Sequence, residues 1–212
     1  MKKMFLILPI LFSISITAQE KTFQEKLQLL DISYNTKSEY TVLSDTTCYI
    51  FEDDKCPMRN KLGIMEALLL SKDKECLIGV YFPPFYNFHP KIVKKTKSNR
   101  YSSHDRIAHD FSWGKKLRSA SKQDLNDIES LMKHYTNETS NDFFNADYMF
   151  SYPLNFQGET CDEKYRYGRA LLFGKESVIN IILYFVTTEK GVESIDNYID
   201  DSKRLFIFEN VE

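Results

Sequence analysis

The chain has 212 residues, with 28 Lys and Arg against 30 Asp and Glu for a formal charge of −2, and 42% of its residues are hydrophobic. With 16 Phe and 13 Tyr but only 7 Gly and 6 Pro, the composition excludes a disordered or collagen-like chain and points to ordered packing. So mild a charge balance implies no obligatory partner.

Residues 1–18 read as a secretory signal peptide. Lys2 and Lys3 form a charged start, Phe5 to Ile16 an apolar run, and Thr17-Ala18-Gln19 the processing region, with cleavage predicted after Ala18. The apolar run contains Pro9 and falls short of the roughly 20 residues that span a bilayer. Cleavage leaves 194 residues (212 − 18), enough for one large domain or two small ones, and takes the charge from −2 to −4 as Lys2 and Lys3 depart. The implied address is the periplasm or the exterior. The later apolar run Val178 to Val186 is strand-length, so no second membrane segment is predicted.

In the mature chain, Thr22-Phe-Gln-Glu25 has the spacing of a capping box, and the helix it opens carries Phe23, Leu27 and Leu30 on one face. A short strand at Tyr40 to Leu43 and a cysteine-containing loop follow. Then "ALLLSKDKECLIGVYF", residues 67–82, reads as a β-hairpin with a polar turn. The order recurs in the second half. Ser121-Lys-Gln-Asp124 opens a predicted helix with Leu125, Ile128, Leu131, Met132 and Tyr135 on one face, Tyr148 to Tyr152 is a strand, and "ALLFGKESVINIILYF", residues 170–185, a second hairpin. Aligned without gaps, the two hairpins share seven of sixteen residues, 103 positions apart. Thr188 then caps a predicted helix carrying Val192, Ile195, Tyr198 and Ile199, and Leu205 to Phe208 is a closing strand. Hairpins in place of long crossovers predict an α+β fold of antiparallel sheets with helices packed on one face, in two pseudo-repeated helix-strand-hairpin halves. The predicted division is a first half at 19–90, a basic connector at 91–120 and a second half at 121–212. From Lys91 to Lys122 the chain holds ten Lys and Arg against two Asp, a local +8.

Four cysteines, Cys48, Cys56, Cys76 and Cys161, allow three pairings in an oxidising compartment. None forms a CxxC. Cys76 shares an alternating face with Ile78, Val80 and Phe82, where a buried thiol fits as well as a bridge, so the reading favours one bridge among Cys48, Cys56 and Cys161.

Candidate sites are few. "HDRIAHD" places Asp105 and His109 four residues apart, a metal-ligand spacing, but supplies no third and fourth ligand; surface hydrogen bonding is the favoured reading and no cofactor is predicted. The carboxylate pairs Asp53-Asp54, Asp124 with Asp127, and Asp200-Asp201 are read as structural, and no GxSxG, HExxH or phosphate-cradling Gly-rich loop occurs. "YFPPFYNFHP", residues 81–90, leads into the basic connector. Its Tyr81, Phe85, Tyr86 and Phe88, with Tyr101 and Trp113, are the candidate ligand-binding residues for peptide or sugar, set against plain packing. Lys91, Lys94, Lys95, Lys97 and Arg100 offer contact to an anionic surface; export argues against nucleic acid.

From "FNADYMFSYPL", residues 144–154, through "YGRALLFGKESVINIILYFVTTEKGVESIDNYI", the chain resembles uncharacterised secreted proteins of Bacteroidota over roughly its C-terminal 90 residues. The signal peptide ending in Ala-Gln is similar to those of that phylum, and Asp45-Thr46-Thr47 resembles its O-glycosylation pattern. The resemblance implies an address and no activity. The leading expectation is a non-catalytic extracytoplasmic binding or accessory protein, of which an immunity-type protein against a toxin is one form, with its partner on the connector or a sheet edge. The alternative is a hydrolase on glycan or cell-wall material.

Overall fold

A computed structural model describes residues 22–35, 39–51, 62, 64–82, 130, 132–154, 164–175 and 180–209. The first helix, α1 (Phe23–Leu29), begins with the predicted capping box: the Glu25 amide donates to Thr22 Oγ1 at 3.3 Å, and the Thr22 amide donates to Glu25 Oε2 at 2.7 Å. Asp31, at φ 53°, turns the chain into β1 (Ile32–Tyr34). There follow β2 (Tyr40–Ser44), the hairpin β3 (Ala67–Ser71) and β4 (Cys76–Tyr81), and then β5 (Lys133–His134) and α2 (Asn137–Phe144). The strands β6 (Tyr148–Pro153), β7 (Tyr167–Gly174) and β8 (Asn180–Thr187), the helices α3 (Glu189–Val192) and α4 (Ile195–Asp201), and β9 (Phe206–Phe208) complete the order.

Among the described residues, seven strands form one antiparallel sheet in the order β2-β3-β4-β8-β7-β6-β5, and β1 pairs with β9 in a second, two-stranded one. The antiparallel α+β arrangement predicted from the hairpins is therefore present. Phe23 and Leu27 of α1, Phe144 of α2, and Ile195, Tyr198 and Ile199 of α4 join β1 and β9 over one face of the large sheet, where Ile78, Val80, Phe173, Leu183 and Phe185 receive them. The opposite face is packed by Ile50, Phe51, Leu62 and Met65. That second layer lies close because Gly79 has no side chain: a Cβ there would stand 2.5 Å from Ile50 Cδ1. With both faces covered, every residue of β8 is buried, which explains its continuous apolar run. No helix among the described residues is long and apolar enough to cross a membrane.

The two hairpins meet along β4 and β8, where Val80 stands opposite Leu183, 103 residues on (183 − 80). In these second arms the matched residues share a face: Ile78 with Ile181 and Phe82 with Phe185 on the helix side, Tyr81 with Tyr184 on the other. In the first arms they do not. Ala67 and Leu69 face the helices, whereas Ala170 and Leu172 face away. The turns differ by one residue: Leu70 pairs Leu77 with six residues between (71–76), and Gly174 pairs Asn180 with five (175–179). A shift of one residue moves every side chain of a strand to the other face, so the ungapped match of the first arms is not a match of position.

Two local expectations are corrected. Tyr135, assigned to a helical face, follows the strand Lys133–His134, and its amide donates to Met149 O at 3.1 Å. The predicted helix start Ser121–Asp124, with Leu125, Ile128 and Leu131, lies outside the described residues; the helix that follows Tyr135 is α2, capped by the Thr136 hydroxyl and ended by Asn145 at φ 52°, and its polar run Asn137-Glu-Thr-Ser-Asn-Asp142 has low intrinsic helix propensity and hid it. The helix capped by Thr188 is two short ones, α3 and α4, separated at Glu193 and Ser194.

Candidate functional site: an open sheet edge beside a carboxylate cluster

Among the described residues, strand β2 forms one margin of the large sheet and pairs only with β3, through Tyr40 with Ser71, Thr41 with Leu70 and Val42 with Leu69. The register then shifts, and Ser44 rather than Leu43 meets Leu68. Such a bulge bends a strand and re-aims its side chains. Here Val42 and Leu43 are successive and both exposed, at 41% and 51%, with Thr41 exposed beside them. Along a margin of this kind the outward N–H and C=O groups have no neighbouring strand.

Tyr40 fixes the strand at one end. Its ring is buried, and its hydroxyl donates to the Tyr198 carbonyl of α4 at 2.7 Å. The Tyr198 hydroxyl donates in turn to Asp73 Oδ2 at 2.6 Å, tying α4 to the β3–β4 turn. That turn is built by its own side chains. Ser71 Oγ donates to Asp73 Oδ1 at 2.6 Å, the Glu75 amide donates to the same oxygen at 3.0 Å, and the Cys76 amide donates to Ser71 Oγ at 3.0 Å. Lys74 completes it at φ 63°, with its amide donating to Ser71 O.

Carboxylates gather around this junction: Glu39 next to Tyr40, Asp73 in the turn, and Asp200 and Asp201 at the end of α4. Partial burial acts to raise the Asp73 carboxyl, but the donors Ser71, Tyr198 and the Glu75 amide outweigh it and hold the group below its ordinary range. Asp201 moves the other way: partial burial and then the charges of Glu39, Asp200 and Asp73 push it up. Lys72 pairs with Glu39, both side chains well exposed. Burial first, then Cys76 and Asp201, push the Tyr40 hydroxyl above the ordinary phenol range, and burial followed by the hydrogen bond and charge of Asp73 does the same to Tyr198. Cys76 is fully buried, and its thiol is pushed up by that burial and by Asp73. A buried thiol and two phenols held protonated do not exchange protons readily near neutral pH. What the corner offers is backbone hydrogen bonding, apolar contact and negative charge.

Two other polar groupings among the described residues are bound into the fold. Lys26 and Glu66, both buried, pair at 2.6 Å, with Thr47 Oγ1 at 3.3 Å from the same ammonium. In a concavity lined by Asn137, Asn141, Asp142, Asn145, Asp147 and Arg204, four of the lining side chains are engaged: Asn141 donates to Asn145, Asn145 donates to Phe208 O, and Lys203 and Arg204 reach Asp142.

Of the sequence-predicted ligand-binding residues, Tyr81 is placed. It is half-buried at the end of β4, opposite Ile182, and its ring meets Tyr184 edge-on at 6.2 Å. The partners Phe85, Tyr86, Phe88, Tyr101 and Trp113, the metal candidates Asp105 and His109, and the cationic Lys91, Lys94, Lys95, Lys97 and Arg100 lie outside the described residues. So do Cys56 and Cys161, whereas Cys48 is half-buried and exchanges backbone hydrogen bonds with Met65 at 3.0 and 2.7 Å. Among the described residues no group of three His, Cys, Asp or Glu is placed to hold a metal ion. Asp200 and Asp201, read from sequence as a structural pair, turn out to share a corner with Glu39 and Asp73. The missing signal was tertiary, because hairpin turn, α4 and β2 come from three distant stretches. No family model, no curated protein and no solved structure matches the chain.

Proposed function

We propose that this chain is a non-catalytic extracytoplasmic binding or accessory protein that accepts an extended segment of a partner protein along β2. The observation that carries the reading is the open margin itself, five residues long, with Thr41, Val42 and Leu43 exposed and uncharged. Strand addition takes affinity from main-chain hydrogen bonds and selectivity from the alternate side chains. The extracytoplasmic address rests on the Lys2-Lys3 start, apolar run and Ala18-Gln19 end of the first residues. An immunity-type role, masking a toxin by capturing one of its strands, belongs to this class.

The test uses mature protein as bait on the native envelope, beside a Val42→Lys/Leu43→Lys variant whose thermal melt is unchanged. A stoichiometric partner that the variant loses, and whose binding slows amide exchange at Thr41 to Leu43, supports the reading. A partner held equally by the variant refutes it.

The two halves are further proposed to derive from one helix-strand-hairpin unit. Support comes from the face-matched second arms around the Val80–Leu183 pair, with the one-residue difference in turn length marking where the copies diverged.

A further inference from the structure

Building on the strand-addition reading, we infer that the segment accepted by β2 is cationic at both ends: an uncharged, β-branched stretch of another protein bracketed by lysine or arginine about six residues apart. The strand supplies the template. Its exposed centre, Thr41 to Leu43, is uncharged, while Glu39 precedes it and Asp45 follows it, both exposed. The two carboxylates stand six positions apart (45 − 39), about 20 Å of extended chain. The Glu39 end is the more negative, because Asp200 and Asp201 stand at the same corner. Lys72, paired with Glu39, offsets one negative charge at this corner and leaves Asp200 and Asp201 beside it, so an incoming arginine competes with Lys72 for Glu39. Opposite charges directly across a strand pair stabilise it and like charges destabilise it.

The same pattern argues against a second copy of this chain as the occupant. An antiparallel β2-to-β2 pairing brings the Glu39 end of each copy against the Asp45 end of the other, so that carboxylates face carboxylates at both ends of a short ladder. The margin therefore discourages its own duplication while remaining open to a strand of opposite charge, which is selection by repulsion as well as by attraction.

The probe is a fluorescein-labelled peptide of seven residues, alternating threonine and valine between terminal arginines, compared with a version whose ends are glutamate. Anisotropy titration gives affinity, and amide exchange at Thr41, Val42 and Leu43 reports where the peptide sits. The arginine-ended peptide is expected to bind about tenfold more tightly at low salt and to slow exchange along β2, with the preference shrinking as ionic strength rises. Glu39→Lys/Asp45→Lys, two exposed changes, is expected to invert the preference. Equal binding of both peptides with β2 protected overturns the cationic assignment and leaves strand addition standing. Absence of binding and of protection with either peptide overturns both. Concentration-dependent protection of β2 without peptide, with a dimer in sedimentation, makes a second copy the occupant and overturns the inference.

Discussion

The two margins of the large sheet are guarded unequally. At one, β5 is two residues long, Lys133 and His134, both exposed and polar, and the strand inside it ends at Pro153. A short cationic strand and a proline are common means of preventing further pairing. At the other, β2 runs five residues with Val42 and Leu43 exposed and carboxylates only at its ends. One margin blunted and the other left apolar is the asymmetry that the proposed strand addition along β2 requires.

Removing the anchor of each margin breaks the comparison most severely. Tyr40→Ala deletes a buried ring and its hydrogen bond to the Tyr198 carbonyl, and chemical denaturation is expected to show a loss of about 3–4 kcal/mol. His134→Ala, on the blunted side, removes an exposed ring resting near Phe150 and is expected to cost less than about 0.5 kcal/mol. Equal losses would mean that the two margins are equally fastened.

Tyr198→Phe has an intermediate effect. It takes one donor from Asp73 and should cost about 1–2 kcal/mol, toward the low end of a hydrogen bond to a charged group because the carboxylate is exposed. Asp73 is held low in the folded state, so its contribution is present above the unfolded carboxylate pKa and is lost as pH falls through the folded value. The variant should lose less stability on acidification, and NMR titration should find the Asp73 carboxyl moved up toward its ordinary range.

Asp201→Asn is the smallest effect and carries the opposite sign. The Asp201 carboxyl is raised, so the stability it contributes is present below the unfolded carboxylate pKa and is lost as pH rises through the folded value. The variant should melt slightly higher than the parent at neutral pH, with the gap closing in acid. A gap that widens in acid would show that Asp201 is not repelled by its neighbours.

Local signals were legible and assembled ones were not. The capping box at Thr22 and Glu25 and both hairpins follow from spacing within a few residues, and the structure contains them. The three-residue β1 is shorter than any periodicity can mark and exists because β9 pairs with it from the far end of the chain. At the site, β2 and the pair Asp200-Asp201 were visible separately, but only packing brings α4, by way of Tyr198, onto Asp73 and Tyr40.

The seam between β4 and β8 sets the order in which the protein can be made. Val80 waits for Leu183, and Ile32 for Phe208, so the centre of the sheet and its covering ribbon close only when nearly the whole chain is present. Long-range antiparallel pairing of this kind delays folding by its loop-closure entropy. Under the proposed export, in which the chain crosses a membrane in extended form, the delay is useful, because the first half by itself cannot complete its central sheet. The same delay leaves β4 transiently without its partner strand, and that interval is when the protein is most exposed to aggregation.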